Sequence, residues 1–207
     1  MVYLCTMFTE QQNKWLEQTE ALFMRYGIKS VTMDDVAREL GISKKTLYQF
    51  VENKDDLVQK VLEQHIEQEQ NRCTQVLKGS ASAIDEMMNL VEANSEQLKH
   101  MKSNIIHDLQ RYHREAWDKI ARHQSSFTYT VIRQNLERGQ AEGLYRMDMD
   151  VDMITKFHIA TSFQLLEESL FPSSHYTKFN IFKEYLTHYL YGIVSEKGYA
   201  ILREKLS

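Results

Sequence analysis

Residues 32–57 constrain the fold of this chain more than any other segment. Their sequence indicates where successive helices begin and places a tight turn between two of them. Thr32 followed by Asp35 has the spacing of a capping pair, in which each side chain bonds the other residue's backbone amide. Gly41 stands where the end of that helix needs a positive φ angle. Ser43 is a favourable N-cap for a second helix. The segment therefore predicts two short helices folded against each other.

The second of these helices has two chemically different faces. Leu47, Phe50 and Val51 recur at helical spacing and predict its buried side. The opposite face carries residue types that reach phosphates and base edges in a major groove, namely Lys44, Lys45, Thr46, Tyr48 and Gln49. Asn53 then caps a further helix behind them. This pattern predicts a helix-turn-helix and makes double-stranded DNA the leading candidate partner.

The rest of the chain is predicted to be helical as well, so the expected fold class is all-α. Its 207 residues include one proline and seven glycines, fewer turn formers than a sheet with many hairpins requires. Apolar residues recur at helical spacing along most of the chain. The predicted helices cover about 10–26, 33–40, 44–51, 54–76, 83–98, 105–112, 115–140, 150–171 and 176–194.

The net charge limits the kind of nucleic-acid binding that is expected. A formal charge of −4 argues against a protein that coats nucleic acid without sequence preference, since such proteins are basic. Residues 43–50 nevertheless hold two lysines and no acidic residue. The predicted contact with DNA is therefore a local patch.

The cysteines and the hydropathy pattern favour a cytoplasmic protein. Cys5 and Cys73 do not make a disulfide framework, which is typical of a reducing compartment. The apolar start lacks a basic lead and reaches Glu10 too soon for a signal peptide. No window approaches 18 apolar residues, so no membrane partner is expected.

The N-terminal segment, with its predicted helix-turn-helix, resembles the TetR-type transcriptional regulators. The resemblance rests on Phe23, Gly27, Thr32, Val36-Ala37, Gly41-Ile42-Ser43, Thr46-Leu47-Tyr48 and Lys54-Asp55-Asp56-Leu57. It implies a three-helix DNA-binding head joined by a long fourth helix to a six-helix ligand-binding and dimerisation body. The expected domains are residues 1–54 and 55–207. Over the second domain only the layout of helices resembles the family.

The resemblance also implies which residues contact DNA. Tyr48 and Lys54 match positions that commonly bind phosphates. Other family positions contact either phosphates or bases, and in this chain they are Thr32, Ser43, Lys44, Lys45, Thr46 and Gln49. Lysines in the first turn of a helix oppose its dipole, which fits an anionic partner. The alternatives are solvated surface lysines and, for Tyr48, a half-buried packing residue.

One departure from the family concerns the third helix. The family usually has an aromatic pair and then a phenylalanine after Leu-Tyr, whereas this chain reads Gln49, Phe50 and Val51. Val51 leaves less bulk between the third and fourth helices. Phe50 is expected to compensate by turning inward, which would change the tilt of the reading helix.

Soft and aromatic side chains predict an apolar ligand pocket in the body. The candidates are Met87, Trp117, Phe127, Phe157 and His158, on helices expected to face each other. Methionine and aromatic linings suit adaptable apolar pockets. The alternative for each of them is packing in an ordinary helical core.

The last two predicted helices are candidates for a subunit interface. Their apolar faces carry Phe157, Phe182 and Tyr189. A single short helix reads few base pairs, so two copies related by two-fold symmetry are expected on a (pseudo)palindromic operator. The alternative is that these helices only close the core of one protomer.

Metal, cofactor and catalytic sites are not expected. Asp148, Asp150 and Asp152 alternate like the start of a calcium loop, but Met153 and Ile159 occupy the positions that require glycine and glutamate. Capping of the following helix explains the three acids better. No two histidines lie four residues apart, and no phosphate-binding or nucleophile motif is present.

The sequence thus predicts a homodimeric, ligand-responsive DNA-binding regulator. The resemblance implies a repressor that a small apolar or aromatic effector releases from its operator. Two alternatives stay open: an activator or corepressor-dependent regulator, and a helical ligand-binding adaptor without DNA binding.

Overall fold

The computed structural model describes residues 8–98, 101 and 104–206. The apolar start and Cys5 lie outside the described residues. The all-α prediction is confirmed, since an isolated bridge between Tyr145 and Val194 is the one β-type pairing in the described part. The α-helices are α1 (Glu10–Tyr26), α2 (Met33–Glu39), α3 (Lys44–Phe50), α4 (Lys54–Gly79), α5 (Ala83–Leu98), α6 (Ile105–Tyr112), α7 (Arg114–His123), α8 (Tyr129–Ala141), α9 (Val151–Gln164), α10 (Lys178–Ile193) and α11 (Glu196–Leu206).

The predicted caps form as the sequence indicates. The Thr32 hydroxyl accepts a hydrogen bond from the Asp35 amide at 3.2 Å, and the Asp35 carboxylate accepts one from the Thr32 amide at 3.0 Å. The side chains of Ser43 and Asn53 cap α3 and α4 by accepting hydrogen bonds from the Thr46 and Asp56 amides. Gly41 has a φ of +66°, the left-handed conformation that favours glycine. The helix-turn-helix is therefore built by contacts within a few residues.

Several helix boundaries differ from the prediction. The segment predicted as one helix over 115–140 is divided by a π-helical turn at Gln124–Thr128. Helix α9 ends at Gln164, and turns follow it. Helix α11 was not predicted, because Gly198 reads as a break. In the structure Gly198 lies inside α11, where a larger residue would not fit. A Cβ at this position would lie 2.1 Å from the Leu144 carbonyl oxygen.

Two hydrophobic clusters hold the helices together. The first includes Leu16 and Leu47 of the predicted head, Leu57 of α4, and Ile105 and Leu109 of α6. The predicted boundary at residue 54 therefore lies at the start of a helix whose apolar face continues the core of the head. The second cluster joins α5, α8, α10 and α11.

A buried hydrogen-bond network stabilises the second cluster. The Tyr145 hydroxyl donates to the Ala83 carbonyl at 3.0 Å and lies 3.1 Å from Asn135 Oδ1. The Tyr145 ring lies so close to Gly139 that a Cβ there would be 2.0 Å from Cδ2 of the ring.

In the described ranges no helix is both long enough and apolar enough to cross a bilayer.

Candidate DNA-binding face and ligand cavity

Helix α3 presents its polar face outward, as the sequence predicts. Leu47 is fully buried and Val51 nearly so. Lys45 and Gln49 are exposed on the other side, and 48% of the Tyr48 surface is accessible. These side chains are free to contact a ligand outside the protein.

The N-terminus of α3 forms an ion pair with α2 and a hydroxyl contact between its cap and its first turn. Lys44 forms an ion pair with Asp34 of α2, and both side chains are more than half exposed. The Ser43 and Thr46 hydroxyls lie 2.8 Å apart. Because the ion pair is exposed, its contribution to stability is small. Lys44 can therefore exchange Asp34 for another anion at little cost.

Lys54 makes a contact that the sequence did not reveal. Its ammonium group donates to the Val31 carbonyl at 2.6 Å and to the Lys29 carbonyl at 3.3 Å. Burial lowers the pKa of Lys54, although Asp108 and Asp55 act to raise it. The expectation of an ammonium group free for phosphate therefore differs from the structure, in which Lys54 anchors the loop before α2.

Phe50 turns inward, as its place in the sequence suggested. Its ring packs edge-on against Trp15 at 5.9 Å and against Phe8 at 6.1 Å. Val51 is 2% exposed in the first cluster. The aromatic bulk that supports α3 is therefore supplied from the side of α1.

Helix α6 is fastened to the loop between α1 and α2. The Lys29 amide donates to Asp108 Oδ2 at 2.9 Å, and the Asp108 side chain is buried. The Lys29 ammonium donates to the Tyr112 hydroxyl at 3.1 Å. His113 Nδ1 lies 2.6 Å from Asp55 Oδ1 at the start of α4. These bonds connect the head to the body beyond the shared core.

A cavity of about 260 Å³ lies beneath this contact. Its wall is mostly apolar and is built by α1, α4, α5, α6, α7, the π-helical turn, α9 and α10. Phe23 of α1, Val58 and Leu62 of α4, and Ile105 and Leu109 of α6 belong both to the wall and to the first cluster. The space exceeds the roughly 150 Å³ that admits benzene in an engineered cavity. Its size and lining therefore suit a small apolar molecule.

Two histidine–carboxylate pairs stand in the cavity wall. His65 Nδ1 lies 2.6 Å from Glu20 Oε1, and His123 Nε2 lies 3.1 Å from Glu69 Oε2. Burial acts to lower the pKa of His65, but the hydrogen bond and the charge of Glu20 outweigh it and the pKa is raised. Burial acts to raise the pKa of Glu69, but His123 and the neighbouring cations lower it. His65 is therefore favoured as a cation and Glu69 as an anion.

A third histidine in the wall is neutral. His158 Nδ1 lies 3.1 Å from the Tyr185 hydroxyl. Burial lowers the pKa of His158 to about 4. His158 therefore contributes a hydrogen-bonding group without charge at neutral pH.

The predicted pocket residues are only partly brought together. His158 lines the cavity, but Met87 is fully buried in the second cluster and Phe127 packs in a small cluster beside Cys73. Trp117 packs against Phe163 and Phe157 is 58% exposed. Those four residues do not line this cavity, because helical periodicity identifies an apolar face without indicating which neighbour it meets.

Sequence reasoning missed the part of the cavity that the head supplies. Phe23, Met24, Val58 and Leu62 line the cavity, and none of them is among the pocket residues that the sequence predicts. The sequence feature that could have indicated this part of the cavity is His65, a titratable residue within the apolar stripe of α4.

The predicted interface residues also separate in the structure. Phe157 points outward from α9, whereas Phe182 is 8% exposed, belongs to the second cluster and lines the cavity. The face of α10 that carries Phe182 packs inside the protomer. Tyr189 is half-buried, with its hydroxyl shielded from solvent.

The acidic run before α9 acts as a cap. Asp150 accepts a hydrogen bond from the Met153 amide at 3.0 Å. Asp152 accepts bonds from Tyr129 at 2.5 Å and from Lys156 at 2.6 Å. These contacts account for Asp150 and Asp152 by helix capping and ion pairing.

Comparison with known proteins supports the sequence resemblance. Residues 16–61 match the sequence profile of a family described as bacterial regulatory proteins, tetR family. The chain is similar to the HTH-type transcriptional repressor KstR2 of Mycolicibacterium smegmatis, with 24% identity over 195 residues that cover 91% of this chain and 93% of the relative. The predicted resemblance is confirmed.

Solved structures share the fold. A ketosteroid transcriptional regulator, KstR2 of Mycobacterium tuberculosis, superposes with a TM-score of 0.64 at 21% identity, covering 94% of this chain and 100% of the other. A transcriptional regulator from Saccharomonospora viridis, solved in complex with choline, gives a TM-score of 0.75 at 21% identity, covering 90% and 98%. The arrangement of head and helical body is therefore common to all three chains.

Proposed function

We propose that the protein is a ligand-responsive DNA-binding transcriptional regulator, because residues 16–61 match the profile of the tetR family of bacterial regulatory proteins. It occupies an operator and is released when a small apolar or aromatic effector binds in the body. The observation that carries this proposal is that α1 and α4, which share a hydrophobic cluster with α3, also wall the cavity. The helices that support the exposed α3 therefore also line a ligand-sized cavity inside the protein.

The proposed DNA contacts are made by the exposed side of the helix-turn-helix. They comprise Thr32, Ser43, Lys44, Lys45, Thr46, Tyr48 and Gln49. Lysine, hydroxyl and tyrosine groups suit phosphates, and glutamine suits the edge of adenine. Lys54 is left out of this set because its ammonium group is held by two carbonyls of the loop before α2.

A homodimer is proposed through α9. Met153 and Phe157 lie four residues apart on this helix, and each is more than half exposed. Exposed apolar side chains on one helix face are a common element of subunit interfaces. To reach successive major grooves, the dimer must hold its two copies of α3 about 34–36 Å apart. The operator is then (pseudo)palindromic, and the protein works in the cytoplasm, where its DNA is.

The effector is proposed to act through α6. Ile105, Ile106 and Leu109 of this helix line the cavity, and Asp108 among them accepts the bond from the Lys29 amide. A ligand that displaces α6 therefore moves the loop ahead of α2. For release it must bind the displaced conformer more tightly, since equal binding to both conformers shifts nothing. A coupling of about 1–3 kcal/mol would weaken operator binding roughly 5- to 150-fold.

The sign of regulation is proposed from the relative described as a repressor, which aligns along 91% of this chain. An activator or corepressor-dependent regulator would use the same contacts with the opposite ligand effect. A promoter–reporter assay with and without ligand separates the two signs.

The proposal is tested by selecting duplexes from a random-sequence library with the full-length protein. Enrichment of two-fold symmetric sequences is expected, with half-site centres about one helical turn apart. A Lys45→Ala/Tyr48→Ala variant, selected in parallel, is the control and should enrich nothing. If the unchanged protein also enriches nothing, the chain is a helical ligand-binding adaptor and the regulator proposal fails.

A further inference from the structure

The π-helical turn between α7 and α8 brings two polar residues to the cavity. Gln124 and Thr128 are its first and last residues, and both line the wall. Turns of π-helix are rare and are frequent at functional sites. Residues four apart in a helical segment share one side, so the two side chains approach the same part of the cavity.

Neither the Gln124 side-chain oxygen nor the Thr128 hydroxyl has a hydrogen-bond partner among the described residues. Gln124 Oε1 and Thr128 Oγ1 are buried and make no hydrogen bond in the described structure. Nearby hydroxyls behave differently: Thr130 donates to the Ser126 carbonyl at 2.8 Å, and Ser126 donates to the Arg122 carbonyl at 2.7 Å. Such bonds to the preceding turn are the usual arrangement in helices. The free Thr128 hydroxyl therefore marks a local exception.

The remaining polar groups of the described cavity wall are matched within the protein. Glu20 is paired with His65, and Glu69 is paired with His123. His158 is bonded to Tyr185, and Ser162 donates to the Ile159 carbonyl at 2.8 Å. Buried polar atoms without partners are uncommon because their desolvation is not compensated. Gln124 and Thr128 therefore stand out as the unmatched positions of this wall.

We propose that Gln124 and Thr128 form a polar subsite that binds the hydroxyl group of an uncharged, otherwise apolar ligand. A hydroxyl donates one hydrogen bond and accepts others, so a single group can donate to Gln124 Oε1 and accept from the Thr128 hydroxyl. This inference rests on the proposed effector-binding function and narrows the chemistry of the effector.

The charge of the wall disfavours an anionic ligand. Glu20 and Glu69 both face the cavity, and the hydrogen bond and charge of His123 help to hold the pKa of Glu69 low against the effect of burial. A carboxylate placed beside them would meet like charge. The histidines beside them, His65 and His123, are already paired with these carboxylates.

The size of the cavity guides the choice of probe. A volume of about 260 Å³ leaves room beyond a single aromatic ring. 2-Naphthol has two fused rings and one hydroxyl, and it is uncharged at neutral pH. Naphthalene and 2-methoxynaphthalene lack a donor and bracket it in size, and 2-naphthoate replaces the hydroxyl by an anion.

The test measures dissociation constants of these four compounds with the full-length protein by equilibrium dialysis at pH 7. We expect 2-naphthol to bind about 3- to 10-fold more tightly than either donor-free compound, the range of one or two neutral hydrogen bonds. The carboxylate 2-naphthoate should bind more weakly than all three uncharged compounds.

Two variants assign the preference to the subsite. Thr128→Val and Gln124→Met remove the polar atoms at similar volume. Gln124→Met should bring the affinity ratio of 2-naphthol to 2-methoxynaphthalene close to one, and Thr128→Val should reduce the affinity of 2-naphthol relative to naphthalene. Ser125→Ala is the matched control, because Ser125 is exposed in the same turn and does not line the cavity. It should leave the ratio unchanged.

The proposal is overturned if the unchanged protein binds the four compounds equally, binds none of them, or keeps its preference in both variants. Tight binding of 2-naphthoate would overturn the requirement for an uncharged ligand. None of these results affects duplex selection, which tests the regulator function with no ligand present. The two failures are therefore distinguishable.

Discussion

The Lys29 backbone amide donates a hydrogen bond to the buried Asp108 carboxylate, 2.9 Å away and 79 residues later in the chain. The bond joins the loop ahead of α2 to the middle of α6, where Asp108 lies between residues that line the cavity. Asn104 also donates to this carboxylate, at 3.3 Å. A single side chain thus connects the ligand-facing helix to the base of the helix-turn-helix.

Replacing Asp108 by alanine should leave the Lys29 amide without its partner. An unsatisfied donor costs up to about 1–3 kcal/mol when it is fully buried, and this bond is half-buried, so the free energy of unfolding should fall by about 1 kcal/mol. Asp108→Asn retains an acceptor oxygen and should lose less. Urea denaturation at one fixed protein concentration measures both variants. Equal losses would show that charge, and not this hydrogen bond, is what matters at the position.

Replacing Lys44 and Lys45 together by alanine should weaken binding to all duplexes in similar measure. Each phosphate contact contributes roughly 0.9 to the slope of log affinity against log salt concentration, so the slope should flatten by up to about two. The control is Lys78→Ala, an exposed lysine at the far end of α4. A salt dependence unchanged from the parent protein would remove both lysines from the phosphate contacts.

Placing a charge at Phe157 should separate the proposed dimer. In Phe157→Glu two unpaired carboxylates would meet near the two-fold axis, where desolvation makes them unfavourable. Sedimentation should then detect monomers, with weakened operator binding and an intact fold. Met147→Glu is the control, because Met147 is exposed and lies outside α9. A parent protein that is monomeric at micromolar concentration contradicts the interface.

Stability should fall in acid because of His158. Its pKa is lowered from 6.5 to about 4 by burial, so the unfolded chain binds the proton more readily between these values. The stabilising contribution is complete above about pH 6.5 and declines as pH falls toward 4, by up to about 3 kcal/mol. His158→Gln should remove this decline, which urea titrations at several pH values would detect. Parallel pH profiles for parent and variant would refute the assignment.

Two glycine substitutions should have opposite effects on stability. In Gly139→Ala the new Cβ would lie 2.0 Å from the buried Tyr145 ring, and overpacking of this kind costs roughly 1–3 kcal/mol. In Gly192→Ala nothing lies within 4 Å of the new Cβ on helix α10, so a gain of about 0.5–1 kcal/mol is expected. Denaturation midpoints moving the same way in both variants would contradict this account.

The sequence by itself determined the local architecture of the head. The Thr32–Asp35 capping box, the Ser43 cap and the Gly41 turn are made by residues within a few positions of one another. Their geometry depends on the backbone between them, so the residue pattern is sufficient to predict it. The buried position of Leu47 follows from helical periodicity in the same way.

The tertiary structure alone decided how these elements meet. Lys54 bonds carbonyls 23 and 25 residues away, and Phe182 faces inward while Phe157 faces solvent. Met87 and His158 were equally plausible pocket residues, yet His158 alone of the two lines the cavity. Periodicity specifies which face of a helix is apolar, but the partner of that face depends on the rotation and packing of helices far apart in sequence. Contacts across that distance are fixed by the packing of the whole core, and a local pattern contains no information about it.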